Sequence, residues 1–463
     1  RGHRLPIDFF FRSLAQDQHA KAIGIILSGT GSDGTQGIKA IKEEGGMVIA
    51  QKPGTAEYDG MPSSAISTGF VDFELPPAEM PSKLIAYATH TLPIINEFEL
   101  SASQKYENEL NKIFIILRSN TGHDFSQYKA NTINRRIVRR MALQQIERLE
   151  DYVKYLQKTP QETEALFHEL LIGVTNFFRD PEAFKALEKV IPKLFLNKSI
   201  NDSIRVWVTG CSTGEEAYSI AILIKEYMLS IGKNYTVQIF ATDIDPNAIS
   251  RARTGIYPSD IALDVSAQRL SRFFKSESNN GAYRIDKTIR DMLIFSEQNL
   301  IKDPPFSKLD LISCRNLLIY LTANLQKKII PLFHYALNPK GILFLGSSES
   351  IGDCENLLSV LDSKANIYER KEYVAHSNNI GMSNIFPTKD ISRLSVPQIV
   401  EKEVSSLKVP LKELTEHALI DYVIYAATLV NEKGDILYLH GKTGTYFELP
   451  SGEPSVNNVI KMA

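Results

Sequence analysis

Val206-Trp207-Val208-Thr209-Gly210-Cys211-Ser212-Thr213-Gly214-Glu215-Glu216-Ala217-Tyr218 decides how the rest of the chain is read. An apolar, β-prone run (Ile204, Val206, Val208) ends at Gly210. A loop of small residues follows, and a helical pattern opens at Glu215 and carries Ala217, Ile220, Ala221, Leu223 and Ile224. Strand, glycine turn and helix, in that order, is how an open α/β sheet sets a nucleotide-like ligand at the carboxyl end of its first strand. The glycines let the backbone turn tightly and come close to the ligand. They do not spell G-x-G-x-x-G, and a plain strand-to-helix turn of any α/β domain would look similar.

The flanking sequence sharpens the reading. Val237–Thr242 is a second strand that ends on Asp243, and an acidic residue there can take both hydroxyls of a ribose. Asp243-Ile244-Asp245-Pro246 then starts another helix. The glycine loop lacks the Lys-Ser/Thr pair of a P-loop, so phosphate need not be the ligand. A sulfonium cofactor beside Glu215 and Asp243 fits two carboxylates better than a pyrophosphate does. Leu309–Ser313 resumes the sheet and ends in Cys314-Arg315-Asn316, with Tyr320 just beyond. Gly341–Leu345 is a late strand, followed by Gly346-Ser347-Ser348-Glu349. Between these, Ser276–Phe295 holds short β runs at Tyr283–Ile285 and Met292–Phe295 and reads as an inserted antiparallel subdomain.

Composition bounds the class. With 463 residues, about three domains are expected. A hydrophobic content of 43% supplies buried cores, and a net charge of −2 argues against a generally nucleic-acid-binding protein. Cys211, Cys314 and Cys354 are scattered without metal-type spacing, which predicts a reducing cytoplasm, no disulfide framework and no metal. No apolar run approaches the roughly 18 residues of a membrane span, so no membrane insertion is expected. The chain begins at Arg1 and ends inside a patterned segment, and is read as an excerpt.

Residues 1–85 read as part of an α/β domain. A strand, Ala22–Leu27, runs into Ser28-Gly29-Thr30-Gly31-Ser32-Asp33-Gly34, a helix over Thr35–Glu44, a second strand at Met47–Ala50 and a helix from Gly60. After a linker at 86–104, the periodicity is helical over 105–173. Its distinctive element is Thr132–Leu143, where Ile133, Ile137 and Met141 recur at i, i+4, i+8 and face a core. Arg135, Arg136, Arg139 and Arg140 fall within an arc of about 140° on the other side, at about 100° per residue. A solvated face is the bland reading. With no acid between Ile133 and Gln145, an anionic partner is the sharper one.

Residues 105–370 resemble the chemotaxis receptor methyltransferase family, CheR. The motifs that carry the likeness are the Arg135-Arg136 helix, Val174–Arg179, Gly210–Ser219, Ala241–Asp245, Ala252–Tyr257, Ser313–Leu321 and Leu345–Glu349. The resemblance implies a Rossmann-like S-adenosylmethionine methyltransferase domain over 174–370, with a β-subdomain at about 256–296, behind a small all-helical domain. It implies cofactor contacts at Thr175, Arg179, Glu215, Asp243, Asn299, Leu300, Arg315 and Asn316, with Arg179 and Tyr320 at the methyl-transfer centre and S-adenosylhomocysteine as product. Where some members have asparagine two residues before Thr175, this chain has Gly173. The loop through which some members tether a receptor's terminal peptide reads here Ser276-Glu277-Ser278-Asn279-Asn280-Gly281, a poor match, so tethering is not expected.

Leu5–Ser13, Leu27–Gly34, Ala50–Pro53 and Tyr58–Pro62 resemble the chemotaxis methylesterase family, CheB. By that likeness Asp33 matches the acid that orients the catalytic histidine, while the nucleophilic serine and the histidine lie upstream of Arg1. His3, His19 and His90 do not sit in the matching context, and Thr30 stands where the family commonly has methionine. An aspartate alone cannot run a triad, so no esterase activity is expected. After a linker at 371–416, residues 417–463 carry a hairpin pattern, Ala427–Tyr438, that resembles the opening of a PAS sensor domain.

The expectation is a cytoplasmic α/β enzyme that methylates glutamates of a chemoreceptor or similar signalling protein, with Arg135, Arg136, Arg139 and Arg140 docking the substrate. Two other readings stay open, because the fold does not fix the substrate. One is a methyltransferase for RNA or small molecules, and the other is a non-catalytic scaffold that senses the cofactor.

Overall fold

The computed structural model describes residues 5–89, 104–171, 173–196, 198–277, 282–371, 426–430 and 436–441. It falls into two units, Arg1–Ile380 and Gly381–Ala463. In the second, Ala426–Val430 and Ile436–Gly441 pair as antiparallel strands. No helix among the described residues is long and apolar enough to cross a membrane.

The first unit opens with a parallel sheet of β1 (Ile23–Ile26), β2 (Met47–Gln51) and β3 (Phe73–Leu75), in that order. Helices Pro6–Gln18, Thr35–Glu43 and Gly60–Ser67 accompany it. Four helices follow, Gln104–Thr121, Ala130–Leu143, Leu149–Lys158 and Pro160–Leu170. Their core includes Ile113, Leu117, Ile133, Ile137, Met141, Tyr152 and Leu166, so the predicted apolar stripe does face inward.

The largest sheet has seven strands. In chain order they are β4 (Ser203–Thr209), β5 (Thr236–Asp243), β9 (Leu293–Glu297), β10 (Leu309–Cys314), β11 (Leu337–Leu345), β12 (Leu358–Asp362) and β13 (Ile367–Arg370). Their spatial order is β12-β13-β11-β10-β4-β5-β9. The five strands from β11 to β9 are parallel, and β12 and β13 form an antiparallel edge. Every residue of β10 is buried, as a strand covered on both faces requires. Alternation splits β4 between two layers. Ile204, Val206 and Val208 pack with helix Glu215–Ser230, while Trp207 packs with helix Ala323–Ala336. The chain runs outward from β4 to β5 and β9, then returns to add β10 and β11 on the other side. Strand order therefore reverses between β4 and β10, where a crevice opens at the carboxyl ends.

The inserted sheet is smaller than the sequence suggests. It consists of β6 (Ile256–Tyr257), β7 (Phe274–Ser276) and β8 (Tyr283–Ile285), antiparallel in the order β6-β8-β7. Met292–Phe295, expected in that subdomain, instead supplies most of β9, which pairs in parallel with β5 from Ile239↔Leu293 to Asp243↔Glu297. Residues 278–281 of the tethering loop lie outside the described residues.

Candidate active site

The crevice at the reversal point contains a cavity, and one wall of it is the glycine turn. Gly210 (φ +63°) and Gly214 (φ +96°) both take left-handed backbone. A Cβ at Gly214 would lie 3.0 Å from Ala252 Cβ and 3.2 Å from the Tyr257 hydroxyl, so the turn needs glycine for space as well as for φ. Across the turn, Asp243 ends β5 and lines the cavity. One of its oxygens accepts the Ser212 N–H at 2.8 Å and the other accepts the Asp245 N–H at 3.0 Å. A carboxylate offers about four acceptor positions, so two remain for hydroxyl donors. Burial pushes the Asp243 carboxyl up, and the Asp245 and Ser212 amides pull against that. A buried carboxylate with acceptor capacity to spare is what a ribose diol would satisfy, so these residues fit a nucleoside-bearing cofactor.

Arg179 and Tyr320 line the same cavity. Arg179 sits on a turn between two residues of positive φ, Phe178 (51°) and Asp180 (61°). Such backbone costs on the order of 1–3 kcal/mol per residue and persists only when its surroundings enforce it. Arg315, at the end of β10 with its side chain fully enclosed, does so. It donates to the Arg179 carbonyl at 2.9 Å and to the Asp180 carboxylate at 2.8 Å, and it pairs with Glu216 at 3.3 Å. The Phe184 and Phe344 rings lie against its guanidinium. Arg179 itself donates to the Val174 carbonyl at 2.8 Å and pairs with Glu43 at 2.5 Å.

Tyr320 ends a short 3-10 turn, Leu318–Tyr320. Glu349 organises that turn, because its carboxylate accepts the N–H groups of Asn316 (3.1 Å), Leu317 (2.8 Å), Leu318 (2.7 Å), Ile319 (3.3 Å) and Gly346 (2.7 Å). From the helical domain, Lys129 N–H donates to the Tyr320 carbonyl at 2.8 Å, and Tyr128 bridges Leu321. Burial, with Glu43 next, pushes the Tyr320 phenol up to about 12, so it is a neutral donor at pH 7.

Of the residues expected at the cofactor, Thr175, Arg179, Asp243, Asn299, Leu300, Arg315 and Asn316 all line this cavity, as does Tyr320. Glu215 does not. It turns into a neighbouring hollow and accepts from the Thr213 hydroxyl at 2.7 Å. Glu216 lines the cavity instead and accepts from the Ser313 hydroxyl at 2.7 Å. Successive helical residues point about 100° apart, so only one of the pair can face the crevice. Gly173, where some CheR members have asparagine, also lines the cavity, and its carbonyl accepts from the Ser212 hydroxyl at 2.9 Å.

The free basic face expected on Ala130–Leu143 is not what the structure holds. Arg139 is buried and pairs with Asp72 and Glu169. Arg136 is buried and donates to the carbonyls of Lys42 (3.1 Å) and Glu43 (2.9 Å). Arg140 makes a two-pronged pair with Glu162 at 2.9 and 2.6 Å. Arg135 alone of the four is exposed. Burial works against an ionised Glu169, but Arg139, Lys42 and Arg136 outweigh it and hold its carboxyl far below the usual range. Asp33 accepts the N–H groups of Ile7 (3.2 Å) and Asp8 (3.0 Å) at the start of the first helix. His19 pairs with Glu44, while His3 and His90 lie outside the described residues.

Comparison with known proteins matches successive parts of the chain to three family models. They are CheB methylesterase over residues 1–84, the all-alpha domain of CheR methyltransferase over 108–171, and the CheR methyltransferase SAM binding domain over 173–367. The chemotaxis protein methyltransferase of Borreliella burgdorferi is 32% identical over 57% of this chain and 94% of its own length. An uncharacterized 104.1 kDa protein of Rhodobacter capsulatus is 34% identical over 98% of this chain, which spans 49% of that protein. Among solved structures, the CheB methylesterase catalytic domain of Thermotoga maritima is 42% identical over 17% of this chain and 41% of its own, with a TM-score of 0.17.

Proposed function

The chain belongs to the CheR methyltransferase family, whose cofactor is S-adenosylmethionine, and from that premise we propose that it forms methyl esters on glutamate side chains of a chemoreceptor or related signalling protein. The observation that carries the proposal is that Arg179 and Tyr320 line the same cavity as Asp243. A cofactor pocket is thereby joined to a cation and a hydroxyl suited to an incoming carboxylate. S-adenosylmethionine supplies a methyl group on a sulfonium sulfur and leaves as S-adenosylhomocysteine.

This chain's residues have the task of holding and orienting. Asp243 would hold the ribose hydroxyls, with Thr175, Asn299, Leu300 and Asn316 along the rest of the cavity. An acceptor glutamate has an ordinary pKa of about 4.3 and is already ionised at pH 7, so no general base is needed. Arg179 draws the carboxylate in, and the neutral Tyr320 phenol fixes its orientation while drawing off less of its electron density than a second cation would. Arg315 and Glu349 act through others, one on the Arg179 turn and one on the Tyr320 turn. Alignment of reacting atoms in a cleft short of water is the main catalytic resource of such a site.

The esterase-like segment is proposed to hydrolyse nothing by itself. Both Asp33 oxygens serve backbone amides, and among the described residues no histidine bonds to it. The paired strands Ala426–Val430 and Ile436–Gly441 support a PAS-like opening only as a hairpin.

Methyl-labelled S-adenosylmethionine, incubated with the chain and receptor-bearing membranes, tests the proposal. Label should enter protein and be released as methanol by mild alkali. Alkali-stable label, or label in RNA, would replace it with one of the other methyltransferase readings.

A further inference from the structure

Arg179, assigned to the acceptor carboxylate, already has a carboxylate on it. Glu43 is the last residue of helix Thr35–Glu43 in the esterase-like segment, and its Oε1 lies 2.5 Å from Arg179 Nη2. The helix that carries it is fixed on both sides. At its carboxyl end, Arg136 donates to the Glu43 carbonyl and to the Lys42 carbonyl, which also accepts the Gly45 N–H at 3.0 Å. Lys42 forms ion pairs with Asp72 at 2.6 Å and Glu169 at 3.5 Å, and Arg139 donates to the Gly46 carbonyl at 3.2 Å. On the methyltransferase side, Lys39 pairs with Asp260 at 3.5 Å and Gln36 donates to the same carboxylate oxygen at 3.3 Å.

Two observations set this apart from an ordinary domain contact. The first is its chemistry: a glutamate on a helix, with the negative end of the helix dipole behind it, meets Arg179 and the basic helix together. That is the form in which a helical receptor would offer its own glutamate. The second is partial exposure. The side chains of Glu43 and Arg179 are 31% and 21% accessible, whereas Asp72, Glu169 and Arg139 nearby are 7%, 7% and 2%. The pair at the acceptor position is therefore the part of the contact that solvent and a competing carboxylate can reach.

We propose that Glu43 is a built-in occupant of the acceptor-carboxylate site, through which the esterase-like segment competes in cis with the receptor glutamate. The proposal rests on the methyltransferase reading above. While the segment is docked, Arg179 is neutralised and the basic helix is covered. A receptor helix must displace Glu43, so apparent affinity falls by the fraction of molecules that are open. If about nine-tenths are closed, the loss is about tenfold.

The test compares the parent chain with Glu43→Gln and Lys39→Glu by steady-state methyl transfer to receptor membranes, alongside calorimetry with S-adenosylhomocysteine. Glu43→Gln keeps the shape and removes the charge that competes. Lys39→Glu sets like charge against Asp260 and loosens the same helix away from the acceptor site. Both should lower KM for receptor by about tenfold, with kcat and cofactor affinity unchanged. Glu44→Gln, one residue on and paired with His19, should leave all three constants at parent values. Transfer with the same KM in the parent and both variants would overturn the occupant role and leave the methyltransferase standing. No transfer by any form, with cofactor binding intact, would overturn both.

Discussion

Replacing Asp243 with alanine is the sharpest perturbation of the cofactor site. It removes a buried carboxylate that holds two backbone amides and has acceptor positions left for two hydroxyls. Water in the cavity can take over the Ser212 and Asp245 amides, while the other carboxylates that line it are already engaged, Glu216 by Ser313 and Arg315 and Asp245 by His168. A hydrogen bond to a charged group contributes about 1.5–3 kcal/mol, so Kd should rise by about 10- to 140-fold at tenfold per 1.4 kcal/mol. The pH dependence gives a second reading. The folded-state pKa of Asp243 lies above its unfolded value of about 3.9, because burial disfavours the charged form. Such a group adds stability below the unfolded value and loses it as pH rises through the folded one, so at neutral pH the ionised carboxylate is a cost to the empty protein. Parent affinity for S-adenosylhomocysteine should therefore weaken as pH falls toward the raised value, and Asp243→Ala should lack that limb. Calorimetry at pH 7.5 and pH 5, with circular dichroism to check the fold, measures both. Parent-like affinity in a folded variant would remove Asp243 from the site.

Other substitutions probe the remaining parts of the site and fold. Tyr320→Phe should lower single-turnover methyl transfer by about ten- to a hundredfold, or about 1.4–2.7 kcal/mol of barrier, and Arg179→Ala should lower both the rate and cofactor affinity; a parent rate in Tyr320→Phe would make it a packing residue. Arg139→Ala leaves Asp72 and Glu169 buried without their shared guanidinium and should cost about 3–5 kcal/mol in urea denaturation, whereas a loss below about 1 kcal/mol would mean that Lys42 and Arg136 suffice. His168 is raised chiefly by its pairing with Asp245 at 3.7 Å, so its stabilisation is complete below about pH 6.5 and is lost as pH rises through the raised value; His168→Gln should lower Tm more at pH 6 than at pH 8.5, and equal losses would refute the pairing. Methanol release from methylated receptor should stay at background in the parent and in Asp33→Ala, and a parent signal lost in the variant would mean a recruited nucleophile.

What the sequence makes legible is what is local. The glycine turn, Asp243 at a strand end and Tyr320 beyond another need only the period of a strand and the spacing of a turn. The sheet assignment of Leu293–Glu297 is not local: its partner β5 lies some fifty residues earlier, and an apolar run carries no label for the strand it joins. Glu215 and Glu216 are the same residue type side by side, and which one faces the crevice depends on helix phase. Glu349 is the clearest omission. The sequence marks it only as the end of the Leu345–Glu349 motif, with no role, yet it gathers amides from Asn316–Ile319 and shapes the Tyr320 turn. Only the folded pairing of β10 with β11 brings those two strand ends together.

The basic helix shows where charge counting along a sequence fails. Between Ile133 and Gln145 there is no acid, and the inference of a free face rests on neutralisation being local. Here it comes from Glu162 and Glu169, both in helix Pro160–Leu170, and from Asp72, on the far side of the linker. Those partners differ in what happens if the esterase-like segment lets go. Glu162 and Glu169 belong to the helical domain and stay with Arg140 and Arg139. Asp72, the Lys42 and Glu43 carbonyls and the Glu43 carboxylate leave together with the segment. Release would uncover Arg136 and Arg139, both then sharing only Glu169, together with Arg179 freed of Glu43, beside the already exposed Arg135. Under the occupant proposal, the acidic-partner surface expected from the sequence would belong to the open form, and the docked segment would cover it with a helix end and a glutamate of its own.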